Sequence, residues 1–240
     1  AGDYTFHFDG ATQTGLLPSD AFSGEYAFWS NKGDESDMTL TREFDLSGVA
    51  GPVTLSFQTW YDIEEDWDYV YLEASTDGES WEILNTPLGT DYNPAGSSYG
   101  WAYTGQTSGW VEENVDLSAY AGKRVQIRFE YITDAAVNGE GMLIDDIRID
   151  AIDYFSDFES DDGGWESAGF ARVQNALPQT FRLALILKGN DTIVETIELS
   201  ADQAADIPIT LGDEYDEAII VVSGTTRFTR ALANYSIEIK

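Results

Sequence analysis

Apolar and polar residues alternate with a period of two along most of the first 150 residues. This period is typical of β-strands that bury one face and expose the other. The clearest alternations cover residues 53–60 and 69–74, and in the second of these Tyr69, Tyr71 and Glu73 occupy the positions predicted to face solvent. Shorter alternations predict further strands at residues 4–9, 25–30, 38–44, 110–115, 124–131 and 143–149.

The second half of the chain consists of short apolar runs separated by turn residues. Five of these runs predict strands, at residues 181–187, 192–199, 207–211, 217–223 and 234–239. An acidic, glycine-containing stretch at residues 151–171 connects the two halves, and no helix of more than about two turns is predicted. We therefore predict an all-β fold, with a jelly-roll β-sandwich at residues 1–171, connector included, and a smaller Ig-like β-sandwich at residues 172–240.

The crossing between the two clearest strands is unusually acidic. Asp62, Glu64, Glu65, Asp66 and Asp68 place five carboxylates within seven positions. Like charges at this density repel one another unless a cation lies among them. The crossing is therefore the strongest candidate for a metal site in the sequence.

Two carboxylates fall in phase with aliphatic residues of predicted strands, Asp68 with Val70 and Asp145 with Leu143. A charge buried in this way is costly unless it is paired, hydrogen-bonded or bound to a metal. We predict a structural Ca²⁺ ion, which takes about six to eight oxygen ligands. The predicted ligands are Asp62, Glu64, Asp68 and Asp145. The alternative is that arginine side chains or backbone amides satisfy the carboxylates.

Residues 87–109 form a long excursion rich in glycine and aromatic residues. Loops of this length are uncommon inside compact domains and tend to be functional. Tyr99, Trp101 and Tyr103 of the excursion, together with Trp60, are candidates for a platform that binds a sugar or a peptide. The alternative interpretation is that these rings pack over one end of the sandwich as a lid.

The composition is strongly acidic, with 44 Asp and Glu against 12 Lys and Arg and a formal net charge of −32. This charge repels nucleic acids and anionic membranes, and it suits a secreted surface or cationic partners. The absence of cysteine excludes disulfides, and no apolar run approaches the roughly 18 residues of a membrane span. The chain opens at Ala1 without a signal peptide, so we expect a fragment or mature product of a secreted protein.

Several segments together resemble one known family. They are residues 57–75 followed by Thr76-Asp77-Gly78 and Trp81, residues 116–122, and the motif G-M-L-I-D-D-I at residues 141–147. In this order they are similar to the β-sandwich region that follows the catalytic domain of immune inhibitor A type secreted metallopeptidases. Parts of the pattern also occur in MAM-like and galactose-binding-like jelly rolls. The resemblance implies an accessory domain whose partner is the catalytic domain of the same protein.

Three functions are compatible with these residues. The first is a non-catalytic, calcium-stabilised accessory region that stabilises a secreted multidomain protein or attaches it to a substrate or surface. The second is a free-standing carbohydrate-binding or adhesion module that binds a glycan or a protein surface. The third is a jelly-roll glycoside hydrolase, in which Glu64, Asp66 and Asp68 alternate on one face of an extended strand. A zinc peptidase centre is not expected, because His7 is the only histidine and the motif H-E-x-x-H needs two.

Overall fold

The computed structural model describes all 240 residues and contains β-strands, two short 3₁₀ turns and no α-helix. The strands, in chain order, are β1 (Gly2–Gly10), β2 (Gln13–Thr14), β3 (Tyr26–Trp29), β4 (Asp37–Asp45), β5 (Thr54–Asp62), β6 (Tyr69–Ser75), β7 (Glu82–Ile83), β8 (Val111–Asp116), β9 (Arg124–Ile132), β10 (Gly141–Ile149), β11 (Tyr154–Ser156), β12 (Glu166–Ala168), β13 (Ala171–Gln174), β14 (Leu177–Pro178), β15 (Phe181–Gly189), β16 (Thr192–Ile197), β17 (Ala204–Leu211), β18 (Tyr215–Gly224) and β19 (Tyr235–Ile239). The predicted all-β class is confirmed. None of the helical turns is long and apolar enough to cross a membrane.

Residues Ser19–Asn175 form one compact unit built from two antiparallel sheets. Sheet A has the strand order β13-β3-β10-β5-β8, with β11 paired to β10, and sheet B has the order β12-β4-β9-β6-β7. Their facing apolar side chains form one continuous core. Phe57 of sheet A meets Phe129 of sheet B edge to face, with 5.1 Å between ring centroids. This unit is therefore a β-sandwich.

Strands β5 and β6 differ in how well the alternation predicted their burial. Along β5, Leu55 and Phe57 are buried and the residues between them are partly exposed, as expected. Every residue of β6 is buried, so the prediction that its Tyr69, Tyr71 and Glu73 face solvent is wrong. The reason for the two tyrosines is that the excursion at residues 87–109 covers them, with Ala102 packed against both. The carboxylate of Glu73 instead binds the guanidinium of Arg128.

The second compact unit combines Ala1–Pro18 with Ala176–Lys240. All five strands predicted in the C-terminal half are present, and they form the sheets β17-β1-β19 and β16-β15-β18. Strand β1 lies in the middle of the first sheet, where its Phe6 and Phe8 pack with Leu183 and Ile207. The assignment of the first 18 residues to the jelly roll is therefore corrected. Alternation predicted the strand, but it carries no information about which sheet accepts it.

We expect Phe8→Ala to destabilise only the unit that contains β1. Phe8 is fully buried against Phe181, with 5.3 Å between ring centroids, and truncation of such a side chain costs about 3–5 kcal/mol. All seven tryptophans lie between residues 29 and 165, in the other unit. Thermal unfolding followed by circular dichroism should therefore show an earlier transition, while the transition followed by tryptophan fluorescence stays in place.

The matched control for this variant is Phe228→Ala, because Phe228 exposes 85% of its surface. It should leave both transitions unchanged. A shift of the fluorescence transition in Phe8→Ala would contradict the assignment of β1 to the C-terminal unit.

Candidate metal centre

The acidic crossing between β5 and β6 is a compact turn and not an extended strand. The backbone N–H groups of Trp67 and Asp68 both donate to the carbonyl of Glu64, at 3.5 and 3.2 Å. Asp66 has a φ of 70°, in the left-handed region, and its N–H donates to the hydroxyl of Thr104 at 3.0 Å. Glu64, Asp66 and Asp68 are therefore not aligned on one strand face, and the glycoside hydrolase arrangement suggested by their spacing is absent.

The turn brings two of the predicted ligands together and adds one that the sequence did not indicate. Carboxylate oxygens of Glu64, Asp68 and Asp134 all lie within 4.8 Å of one another. Asp134 lies two residues after the end of β9, and the pairing of Tyr69 with Ile132 places the residues after β9 beside those before β6. This strand pairing was the signal that could have revealed Asp134, because the residue itself lies in a loop without periodicity.

The cluster contains more negative charge than its protein partners neutralise. Burial, together with the neighbouring charges of Asp134 and Glu64, raises the pKa of Asp68 to about 6, although the N–H of Asp134 at 2.8 Å and the hydroxyl of Tyr131 at 3.4 Å act in the opposite direction. Burial and Asp134 also raise the pKa of Glu64. No lysine, arginine or histidine forms an ion pair with these three carboxylates.

The donor set suits a hard cation. Asp68 is fully buried, and Oε2 of Glu64 is a buried oxygen that has no hydrogen-bond partner. Carboxylate oxygens are the ligands that Ca²⁺ prefers, with carbonyl and water oxygens completing its coordination. Glu64, Asp68 and Asp134 therefore fit a calcium ion.

Asp62 lies beside the cluster but outside it. Its carboxylate accepts a hydrogen bond from the side-chain amide of Gln106 at 2.9 Å and a longer one from the N–H of Glu140 at 3.3 Å. Together with Glu64 and Glu65 it lines an open pocket of about 710 Å³. Asp62 therefore lies beside Glu64 without belonging to the oxygen cluster of the three carboxylates.

The structure does not bring Asp145 to this corner. Asp145 is fully buried on β10, where its carboxylate accepts the N–H groups of Ser23 at 3.0 Å and Asp146 at 2.8 Å. Burial raises its pKa to about 7. The core-facing residues here are Met142 and Ile144, so Asp145 points to the opposite face of sheet A. Both faces of β10 are buried at this point, which is why alternation assigned the wrong face; backbone amides satisfy this carboxylate.

Two further carboxylates, the buried Glu73 and the partly buried Glu130, are compensated in a different way. Glu73 and Glu130 both accept hydrogen bonds from the guanidinium of Arg128, at 2.5 and 3.0 Å. That guanidinium lies over the ring of Trp81, 4.0 Å from its centroid. Burial and the charge of Glu73 raise the pKa of Glu130 to about 7. An arginine side chain therefore compensates for the negative charge of this pair.

The four aromatic candidates do not form one platform. Tyr103 is buried and donates its hydroxyl to Glu113 at 3.0 Å, and the indole N–H of Trp101 donates to the carbonyl of Thr86 at 2.9 Å. Tyr99 is 75% exposed, and Trp60 is partly exposed on β5. The structure therefore supports the lid interpretation for Trp101 and Tyr103.

The fold and the corner define a class of protein, an antiparallel two-sheet sandwich with a carboxylate cluster at the crossing of two core strands. Residues 10–175 match the family described as "Immune inhibitor A-like, MAM domain", and the chain belongs to this family. The resemblance found in the sequence is confirmed.

Three longer proteins are similar to the chain. The pre-pro-metalloprotease PrtV of Vibrio cholerae is 33% identical over 138 residues, which are 57% of this chain and 14% of PrtV. Bacillopeptidase F of Bacillus subtilis is 32% identical over 143 residues, covering 58% and 9% of the two chains. Immune inhibitor A of Bacillus thuringiensis subsp. alesti is 34% identical over 141 residues, covering 57% and 19%. The chain thus spans less than a fifth of each relative.

We expect Glu130→Gln to flatten the decline in stability between about pH 5 and pH 8. The unfolded carboxyl titrates near 4.5 and the folded one at about 7, so the folded chain binds more protons between these values. Stability that is fully present below the lower pKa is therefore lost as the pH rises through the higher one. Glutamine does not titrate, and this loss, on the order of 1–3 kcal/mol, should disappear from urea unfolding midpoints measured across the range.

The control Glu79→Gln removes one negative charge at an exposed position. It should retain the pH dependence of the unaltered chain. An identical slope in Glu130→Gln and the unaltered chain would show that Glu130 does not titrate in this range.

Proposed function

We propose that this chain is a non-catalytic, calcium-stabilised accessory region of a secreted multidomain peptidase. The observation that carries the proposal is the cluster of Glu64, Asp68 and Asp134, whose carboxylate oxygens lie within 4.8 Å of one another without a cationic partner. Membership of the Immune inhibitor A-like MAM family supports the peptidase context.

The lengths of the relatives support an accessory role. The similar region occupies 9–19% of three proteins that are named as peptidases or as immune inhibitor A. A segment shared by such long chains is a module that accompanies other domains. His7 is the only histidine, so this module does not carry an H-E-x-x-H zinc centre. Its proposed partner is the catalytic domain of the parent protein, outside the cell, and its proposed roles are stability and attachment to a substrate or surface.

A calcium ion would join two separate segments of the sandwich. Glu64 and Asp68 belong to the β5–β6 turn, and Asp134 belongs to the loop after β9. The carbonyl of Asp134 also accepts the N–H of Glu35 at 2.6 Å, which connects the loop before β4. When bound, the ion supplies the positive charge that the buried carboxylates lack, and it has no role in bond cleavage. Calcium is favoured over magnesium because Mg²⁺ demands a stricter geometry and loses its water reluctantly.

We expect EDTA to lower the Tm of the unit Ser19–Asn175, and Ca²⁺ in excess of the chelator to restore it, while Mg²⁺ at the same concentration does not. A ligand at a hundred times its Kd stabilises the folded state by about 2.7 kcal/mol, which corresponds to roughly 5–10 °C for a unit of this size. Tryptophan fluorescence measures this transition selectively, because all seven tryptophans lie in this unit.

Four variants test which carboxylates bind the ion. Asp68→Asn and Asp134→Asn should abolish the calcium-dependent rise in Tm, and the control Asp91→Asn, at an exposed position of the same unit, should retain it. Asp145→Asn is also expected to retain the rise, whatever its effect on the Tm of the apoprotein. A Tm that is insensitive to both chelator and Ca²⁺, or a full rise in Asp134→Asn, would overturn the calcium proposal.

A further inference from the structure

A polar groove crosses the outer face of sheet A at some distance along β5 from the acidic corner. It has a volume of about 410 Å³ and spans β10, β5 and β8. The strand register arranges its floor in two rows. In one row Ser56 lies between Asn114 of β8 and Arg148 of β10, and in the next row Gln58 lies opposite Glu112. Directly opposed side chains on neighbouring strands have Cβ atoms about 4.5–5.5 Å apart.

Four of the polar side chains on this floor have no partner within the protein. Ser56, Gln58, Glu112 and Asn114 line the groove, and none of their side chains makes a hydrogen bond or ion pair. Ser56 and its strand neighbour Asn114 therefore do not hydrogen-bond to each other, and neither do Gln58 and Glu112. Their polar groups remain available to the groove. Convergent, unpaired polar groups in a concave site are the features that fix the orientation of a bound ligand.

The charged side chains at the edge of the groove are held in place by neighbours. The guanidinium of Arg148 lies over the ring of Phe155, 4.7 Å from its centroid, and 3.9 Å from the carboxylate of Asp150. The carboxylate of Asp146 accepts the hydroxyl of Ser23 at 2.8 Å. The groove thus offers both hydrogen-bond donors and acceptors.

Two indoles continue the outer face beyond the polar rows. Trp60 is the next outward residue of β5 after Gln58, roughly 6.5–7 Å along the strand. The pairing of Thr59 with Val111 places Trp110 beside Trp60. The indole N–H of Trp110 donates to the carbonyl of Asp20 at 3.0 Å, and its ring packs against Phe22, with 5.9 Å between ring centroids. An aromatic surface therefore adjoins the hydrogen-bonding floor.

We propose that this groove binds a neutral oligosaccharide. Sugar hydroxyls both donate and accept hydrogen bonds, so they can pair with the amides of Gln58 and Asn114, the carboxylate of Glu112 and the guanidinium of Arg148. The apolar face of a pyranose ring packs on an indole such as that of Trp60. Anionic ligands are disfavoured, because three carboxylates surround one guanidinium in the groove and the chain has a net charge of −32.

This inference rests on the proposed accessory role, because it gives the attachment function a location and a ligand class. It needs no metal ion. The site lies on the outer face of sheet A, whereas the carboxylate cluster lies at the β5–β6 turn. A failure of sugar binding would therefore leave the calcium proposal standing, and the reverse also holds.

The test is titration of the isotope-labelled, complete chain with cellohexaose, maltohexaose, mannohexaose and chitohexaose, followed by amide chemical shifts. We expect at least one of these sugars to produce saturable shifts centred on Ser56, Gln58 and Asn114. The double variant Gln58→Ala/Asn114→Ala should weaken that binding about tenfold or more. Asn85→Ala is the matched control, because Asn85 is an exposed amide of the same unit outside the groove with no hydrogen bond, and it should bind as the unaltered chain does.

Three results would overturn the proposal. One is the absence of saturable shifts with all four sugars. Another is sugar binding that the double variant leaves unchanged, which would place the ligand elsewhere on the chain. The third is a groove that responds to a sulfated heparin hexasaccharide or to tryptic casein peptides and to none of the neutral sugars. The fluorescence-detected Tm of each variant shows that the unit is folded.

Discussion

The sandwich depends on how it accommodates negative charge that is withdrawn from water. A buried carboxylate is tolerated only when donors, a cation or a proton compensate for its lost hydration. Asp68 is fully buried immediately before β6 and lies next to two further carboxylates. Its partners within the protein are a backbone N–H and a tyrosine hydroxyl, which are neutral donors. The turn between the two core strands therefore keeps a net negative charge that its own residues do not balance.

The same unit solves this problem in two other ways, and the comparison isolates what is special about the corner. Glu73 and Glu130 share the guanidinium of Arg128, so a positive charge compensates for their negative charge. The carboxylate of Asp145 accepts hydrogen bonds from two backbone N–H groups, so peptide dipoles compensate for its single negative charge. The cluster of Glu64, Asp68 and Asp134 contains three carboxylates. It has no arginine partner, and its backbone N–H donors are too few to compensate for three negative charges. A divalent cation is the compensation that matches both its charge and its oxygen ligands.

The fold was predictable from the sequence to the extent that burial follows a period of two. Leu55 and Phe57 were assigned to the core correctly, because the other face of β5 is partly exposed to solvent. The buried faces of β6 and β10 were assigned incorrectly. Segments distant in sequence cover the outer sides of these strands, so burial no longer alternates along them. Glu64 and Asp68 were predictable as members of the site from local charge density. Asp134 was not, because its position depends on the pairing of β6 with β9, a contact between residues more than 60 positions apart.

The domain boundary illustrates the same limit at a larger scale. The alternating pattern predicts that β1 is a strand and which of its faces is apolar. It does not specify the partner, because any open sheet edge with an apolar face could accept such a strand. In the structure β1 completes the sheet of the C-terminal unit, so the sandwich of residues 19–175 is inserted between the two parts of the other unit.

The two sheets of the larger unit differ in what they leave open to solvent. On sheet B the excursion at residues 87–109 covers the outer face of β6. On sheet A the covered part ends near Asp145, and the outer sides of β5 and β8 remain accessible. Ser56 and Asn114 face each other there without bonding. Ligand binding on these strands would not disturb the core, because the opposite sides of β5 and β8 already bury Phe57 and Val115. The open face is therefore free of the packing and charge constraints that act on the buried carboxylate cluster.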